Sequence, residues 1–399
     1  MKKFIALVLA LLIHLSCATA PYTGRGQIML VSEGQEMALG DDAYRHILRD
    51  SVISRDPDAE RIVRKVGERI AQAANKPEYK WEFSVINDPE TVNAFAVPGG
   101  KVAVYTGIFG PARDEAGLAV VLGHEVAHAL ARHPAERMSQ ALLLELGGVG
   151  LGLALGKNPA LANQVLQAYG MVGGVGLLPF SRSQETEADR IGLILMAKAG
   201  YDPHAALDLW ERMEKKEGGK SAPPEFLSTH PSYETRVQQI RSFLPEALKY
   251  YRPSQARLEL LPSAASLDTA TAKSERALLK RIQAINQFAG EQAGERIFIE
   301  ALARDLRMSP QLIFQERQQF QVGYGQYAAL RGVSYLGRTS PRRIFEDYQR
   351  GRSWSELARS NGTGVSELTA WMDDLIRTLN NLGRQWRSQS LRRYYRPGL

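Results

Sequence analysis

The chain has 399 residues, of which 44% are hydrophobic and 23% are charged. This is the composition of an ordinary globular protein, and it excludes a disordered or fibrous one. The length predicts two or three domains, and no uncharged apolar run reaches the ~18 residues of an ordinary membrane-spanning helix. The formal net charge is +7, and residues 338–399 alone hold 12 arginines against six acidic residues. The basic character therefore belongs almost wholly to the end of the chain and indicates little about what the rest binds.

The first 20 residues have the pattern of an export signal peptide. Two lysines precede the apolar run Phe4–Ile13, which is too short to span a bilayer. Two alternatives remain for its processing: cleavage after Ala20, or cleavage before Cys17 with acylation of that thiol, as in a lipoprotein. We expect the second, and with it a periplasmic protein anchored to the outer membrane. Cys17 is the only cysteine, so no disulfide can form within the chain.

The spacing of apolar residues predicts an α+β fold that is mainly helical and contains a small β-sheet. We expect a compact domain over residues 30–250, a linker over 251–272 and a separate helical region over 273–399. The elements predicted for the first domain are a helix over 58–74, a strand over 81–86, two extended segments over 93–97 and 101–106 around a glycine-rich turn, and helices from about 111 to 132 and 183 to 199.

Three segments could bring the chain to a membrane surface: the lipid anchor, a glycine-rich apolar hairpin and the basic tail. The hairpin covers Ala141–Gly156 and Gly170–Phe180, and it either packs on the domain or touches lipid. The tail is either solvated or binds an anionic polymer or lipid. The helical region carries two related helix–turn–helix units, which can bind DNA in other proteins. An exported chain meets no chromosome, so we expect no nucleic acid among its partners.

The most informative segment is His124-Glu125-Val126-Ala127-His128. On a helix, His124 and His128 lie one turn apart and project from the same face, so both imidazoles can reach one metal ion. Zinc suits neutral imidazole and keeps an open position when three protein ligands bind it. Glu125 lies about 100° round the helix, where it can accept a proton from water beside the metal.

A third ligand is needed, and a second helix offers carboxylates for it. Glu185 and Asp189 are four residues apart and share a face, whereas Glu187 points elsewhere. Glu185 can bind zinc while Asp189 accepts the second N–H of a ligand histidine. The alternative is a solvated acidic helix start that the helix dipole favours. His133 is read as a structural residue at a helix end.

Four motifs occur in the order and spacing of one family: NAFAVPGG, HEVAHALARHPAER, SRSQETEADRIG and STHPSYETR. The chain resembles the gluzincin zinc metallopeptidases of the family that contains CAAX prenyl protease, HtpX and periplasmic BepA, and its soluble exported branch fits best. The resemblance implies one zinc ion per chain, with His124, His128 and Glu185 as its ligands and Glu125 as the general base. The resemblance also implies that Asp189 hydrogen-bonds a ligand histidine. It implies that His230 and Arg236, from the last of the four motifs, act in catalysis. The strand that binds substrate would comprise Asn93, Ala94, Phe95 and Ala96.

We therefore expect a zinc-dependent endopeptidase of the bacterial cell envelope that hydrolyses unfolded or misassembled envelope proteins. The alternative is a metal-stabilised periplasmic chaperone or assembly factor with latent peptidase activity. In the expected reaction Glu125 moves the proton, and His230, with Arg236 as its neighbour or anchor, stabilises the oxyanion.

Overall fold

The computed structural model describes residues 17–20, 23–146, 180–217, 236–253 and 257–394. The chain forms two compact units, one of residues 1–49 and 53–268 and one of residues 50–52 and 269–399. Helices dominate both units and the first also contains two small sheets, which confirms the predicted α+β class. Within the described part of the chain, no helix has both the length and the apolar character that crossing a bilayer requires.

The first unit contains a two-stranded and a three-stranded sheet. The strands are β1 Cys17–Thr19, β2 Gly26–Ile28, β3 Glu82–Ile86, β4 Ala94–Val97 and β5 Lys101–Tyr105. β1 and β2 pair antiparallel. In the larger sheet the order is β3-β5-β4, with β3 parallel to β5 and β4 antiparallel to it. The turn between β4 and β5 contains two consecutive glycines at φ +87°, a conformation that side chains disfavour. Because β5 lies between β3 and β4, β4 is an edge strand among the described residues.

Nine α-helices and one short 3-10 helix, Thr106–Ile108, complete the described part of the first unit. The α-helices are α1 Glu33–Arg49, α2 Pro57–Ala74, α3 Phe109–Ala112, α4 Glu115–Leu130, α5 His133–Leu146, α6 Arg182–Lys198, α7 Ala205–Glu217, α8 Arg236–Ala247 and α9 Ala264–Leu267. Every residue of α4 is buried, because α2, α6, α7 and β4 pack around it. A helix buried on all sides is hydrophobic all round, so the polar residues in α4 must have partners inside the protein.

The helix predicted from about 111 is interrupted. Arg113 has φ 71°, and Asp114 caps a new helix by accepting hydrogen bonds from the N–H groups of Ala116 and Gly117, each at 3.0 Å. The predicted start near residue 111 is wrong because Gly110 and Pro111 lie inside the short helix α3 instead. The predicted end near residue 132 is close to the observed one, since α4 ends at Leu130 and α5 begins at His133. Pro134 lies in the first turn of α5, where its missing N–H is tolerated.

Among its described residues, all the regular secondary structure of the second unit is helical. Its helices are α10 Ala270–Gly290, α11 Gly294–Leu306, α12 Pro310–Phe320, α13 Tyr324–Gly337, α14 Pro341–Gln349, α15 Trp354–Ser360 and α16 Val365–Tyr394. It has its own apolar core, to which Leu278, Phe298, Tyr327 and Leu368 each contribute a fully buried side chain. The two predicted helix–turn–helix units correspond to α11–α12 and α15–α16.

Candidate metal centre

The helix α4 carries the two candidate histidine ligands on one face. His124, Glu125 and His128 are all buried, with at most 4% of their surface exposed. The Nε2 atoms of the two histidines lie 3.0 Å apart. This proximity follows from the i, i+4 spacing, which places both side chains on the same side of the helix one turn apart.

The third candidate ligand comes from α6. This helix begins with a capping box, in which Ser181 and Gln184 each hydrogen-bond to the backbone of the other. Glu185, in the first turn, lies 3.5 Å from His124 Nε2 and 3.4 Å from His128 Nε2 through its two carboxylate oxygens. The three donor atoms all lie within 4.8 Å of one another. Two imidazoles and one carboxylate are the donor set of catalytic zinc sites with an open position, so these residues fit a zinc ion.

Asp189 and Arg236 support His124 from behind. His124 Nδ1 lies 2.9 Å from Asp189 Oδ1, so it donates its proton there and leaves Nε2 unprotonated. Arg236 donates two hydrogen bonds to Asp189, at 2.8 and 2.7 Å, and Nη1 lies 3.0 Å from Glu185 Oε2. The guanidinium also lies over the Trp210 ring, 3.8 Å from its centroid. Arg236 is 2% exposed, and its Nη2 also lies 3.5 Å from His124 Nδ1.

His128 has a different set of partners, which the sequence did not indicate. Its Nδ1 lies 2.9 Å from Nδ1 of His133, whose Nε2 lies 2.9 Å from Oε2 of Glu187. Arg25, in the segment between β1 and β2, contacts both Glu187 and Glu136. Glu187 points away from the donor set, as its helical position predicts. His133 begins a helix, but it is also fully buried between two polar groups.

The surroundings of the candidate ligands keep His128 neutral and keep Asp189 and Arg236 charged. Burial lowers the pKa of His128 well below its usual value, although the Glu185 carboxylate opposes this effect, so the imidazole is neutral. Burial alone would raise the pKa of Asp189, but the charge of Arg236 and the contact with His124 outweigh it and hold the pKa below its usual value. Burial disfavours the charge of Arg236 too, yet Asp189 and Glu185 raise its pKa overall. Asp189 and Arg236 therefore form a buried, ionised pair.

The segment predicted to bind substrate lies at the edge of the larger sheet. Ala94, Phe95 and Ala96 belong to β4, which packs against α4. Asn93, just before the strand, accepts a hydrogen bond from Tyr105 N through its backbone oxygen at 3.0 Å. One side of β4 is thus paired with β5, and no described strand pairs with the other side.

Some predicted features lie outside the described residues. His230 is one, and the greater part of the glycine-rich hairpin, residues 147–179, is another. In the basic tail, the helix α16 extends to Tyr394, but side chains beyond residue 388 are not described. The roles predicted for these segments, including contact with a membrane surface, stay predictions.

Comparison with known proteins identifies the same chemistry. The model of peptidase family M48 matches residues 57–244. The mitochondrial metalloendopeptidase OMA1 of Schizosaccharomyces pombe is 40% identical over 57% of this chain and 66% of its own length. OMA1 of Saccharomyces cerevisiae is 34% identical over 63% of this chain and 77% of its own length. The beta-barrel assembly-enhancing protease of Escherichia coli is 32% identical over 57% of this chain and 47% of its own length. The predicted family resemblance and the predicted zinc cofactor are confirmed.

The predicted function in the bacterial cell envelope, and the periplasmic location with an outer-membrane anchor, are wrong. The OMA1 relatives at 40% and 34% identity are mitochondrial proteins of eukaryotes, whereas the bacterial relative is less similar, at 32%. The error has a physical cause. The motifs around the metal ligands determine the chemistry of the site, which bacterial and mitochondrial relatives share, and they carry no information about the compartment.

Proposed function

Since the chain belongs to peptidase family M48 and is a zinc metalloendopeptidase, we propose that it cleaves an internal peptide bond of an extended polypeptide segment. His124, His128 and Glu185 hold one zinc ion, and Glu125 is the general base. The observation that carries this proposal is the convergence of the three donor atoms within 4.8 Å. The support behind His124 strengthens it, since Asp189 leaves the metal-facing nitrogen of that ring unprotonated.

The residues of the site have separate roles in hydrolysis. Bound zinc supplies a Lewis acid that polarises the scissile carbonyl and lowers the pKa of water. Glu125 follows His124 on α4, so its carboxylate lies beside the ligands without sharing their face. It accepts a proton from the attacking water and delivers it to the leaving amine. Asp189 and Arg236 act through His124 and Glu185, which they orient, rather than on the substrate.

The edge of β4 orients the substrate. An extended peptide adds to an exposed strand edge through backbone hydrogen bonds, which depend little on the peptide's sequence. β4 packs directly on α4, so a peptide on this edge passes beside the helix that carries Glu125. We therefore propose Asn93, Ala94, Phe95 and Ala96 as the substrate-binding segment, and protein or peptide chains as the partners.

His230 has a separate proposed role, as the donor that stabilises the oxyanion. His230→Ala should retain zinc and lose about 100-fold in turnover, the usual cost of one such donor. If His230→Ala is instead more active, the histidine blocks the open position of the metal at rest.

The test of the general base is Glu125→Gln in the full chain. This change keeps the side-chain shape and removes the base, so hydrolysis of an unfolded protein substrate should fall by ~100-fold or more. Zinc content and melting temperature should stay near those of the wild type. Glu68→Gln, at an exposed position on α2, is the matched control and should keep full activity. If Glu125→Gln remains fully active, the peptidase mechanism proposed for this site is incorrect.

A further inference from the structure

We propose that His133 and Glu187 are positioning residues that fix the ring of His128 for zinc. This inference rests on the proposed function, because it requires His128 to be a zinc ligand. It adds a second support to the metal centre, separate from the one that Asp189 and Arg236 give to His124.

The hydrogen-bond partners allow one order of protons along this chain of residues. His128 must present an unprotonated Nε2 to the metal, so its proton lies on Nδ1. That proton is donated to His133 Nδ1, 2.9 Å away. His133 then carries its own proton on Nε2, which it donates to Oε2 of Glu187 at 2.9 Å. The Glu187 carboxylate only accepts, so it determines the tautomer of both rings.

Because His133 and Glu187 are buried, the loss of either one should disturb His128. His133 is 0% exposed and Glu187 is 5% exposed, so water cannot replace a lost partner easily. A buried imidazole nitrogen without a partner is unfavourable. If His133 is removed, the His128 ring loses the acceptor that fixes both its tautomer and its orientation.

Arg25 and Thr23 complete the support. The Thr23 hydroxyl donates to Glu187 Oε1, and Arg25 Nε donates to Oε2 at 2.8 Å. The same guanidinium forms two hydrogen bonds with Glu136, each of 2.8 Å. Glu136 lies on α5 with His133, and Glu187 lies on α6. Arg25 therefore neutralises the buried carboxylate and connects the two helices that supply the positioning pair.

The two histidine ligands are thus supported in parallel ways. Behind His124 stand a carboxylate and an arginine, Asp189 and Arg236. His128 contacts a third histidine, His133, which contacts the carboxylate of Glu187, and Arg25 binds that carboxylate. Outer partners of this kind typically change metal affinity by about 10–100-fold when they are lost.

The test compares His133→Phe with His133→Asn in the full chain. Phenylalanine keeps a ring but removes the acceptor, whereas Asn Oδ1 can take the place of Nδ1. Zinc affinity, measured by competition with a chromogenic chelator, should fall about 10–100-fold in His133→Phe and recover in His133→Asn. The absorption bands of the cobalt-substituted protein should change in the first variant and return in the second. His204→Phe, at an exposed histidine, is the control and should match the wild type.

The outcomes separate this inference from the ligand assignment. His128→Ala should lose zinc. If it keeps full affinity, His128 is not a ligand and the proposed function itself is refuted. If His128→Ala loses zinc while His133→Phe keeps wild-type affinity and spectrum, only the positioning role is overturned. Equal losses in His133→Phe and His133→Asn also overturn it, because they indicate a packing effect. Should His133→Phe fail to fold, Glu187→Ala takes its place: about a tenfold loss supports the inference and unchanged affinity overturns it.

Discussion

Gly123 and Gly192 meet backbone to backbone where α4 crosses α6. A methyl group on Gly123 would lie 2.8 Å from the Gly192 carbonyl oxygen, and one on Gly192 would lie 2.9 Å from the backbone nitrogen of His124. Atoms at such distances overlap, so only glycine allows the two helices to approach this closely. Because His124 and Glu185 come from these two helices, the crossing also determines how far apart the candidate ligands lie.

Gly192→Ala should therefore impair both stability and the metal site. Overpacking typically costs about 1–3 kcal/mol, and moving the helices apart separates the donor atoms. Differential scanning fluorimetry and zinc titration should show a lower melting temperature and weaker zinc binding. Gly34→Ala, on α1 with nothing near its added methyl group, should change neither measurement for the worse. A Gly192→Ala protein with unaltered zinc affinity would show that the crossing does not control the site.

Removing the carboxylate ligand should remove the metal. We expect near-stoichiometric zinc in the purified protein, one ion per chain, and its loss in Glu185→Ala, because two histidines alone form an incomplete catalytic site. Elemental analysis of dialysed protein measures this directly. Glu68→Ala serves as the control for an unrelated glutamate. Full zinc retention in Glu185→Ala would refute the ligand assignment.

Arg236 should contribute strongly to stability. Its removal leaves Asp189 and Glu185 as buried charges without their counter-ion, and breaking such a pair typically costs about 3–5 kcal/mol. Arg236→Ala should therefore lower the urea midpoint of the zinc-free protein markedly, and Arg236→Lys should not restore it, because lysine lacks the planar fork that holds a carboxylate. Arg190→Ala, which loses a more exposed pairing with Glu246, should cost at most about 1 kcal/mol. Equal losses in the two alanine variants would contradict the prediction.

Glu36 should make stability fall as pH rises. Burial raises its pKa to about 7 from the usual 4.5, although the Arg132 charge opposes the shift. Between these values the folded protein holds a proton that the unfolded chain has released. Its contribution to stability is therefore complete below about pH 4.5 and is lost as pH rises through about 7. Glu36→Gln cannot titrate, so its melting temperature should vary less than that of the wild type over this range. Glu68→Gln should keep the wild-type slope, and identical slopes in all three proteins would refute the prediction.

Local spacing predicted those parts of the site that lie within one helix. His124, Glu125 and His128 are close in sequence, so the helical repeat alone places two side chains together and the third to one side. The helix break at Arg113 was not predictable in the same way. Pro111 is a good first residue of a helix, and the positive φ of Arg113 arises from how the short helix α3 meets α4.

The outer partners of His128 were missed for a different reason. His133 and Glu187 are 54 positions apart and lie on different helices, and periodicity identifies the face of a helix but not what packs against it. Asp189 was found because it shares a helix face with Glu185. The pairing of Arg25 with Glu187 depends on tertiary packing alone, and the composition of its segment contains no signal for it.

The segment around Arg25 has a practical consequence for truncated versions of this protein. The family match begins at residue 57, but a fragment that started there would lack the arginine that neutralises Glu187. A fragment that ended at residue 244 would also lack Glu259, which binds Lys65 at 2.8 Å beside the start of α4. The part of the chain that the family model matches is thus smaller than the first compact unit, which supplies these contacts. A shortened peptidase should therefore begin before Thr23 and continue to residue 268, where the first unit ends.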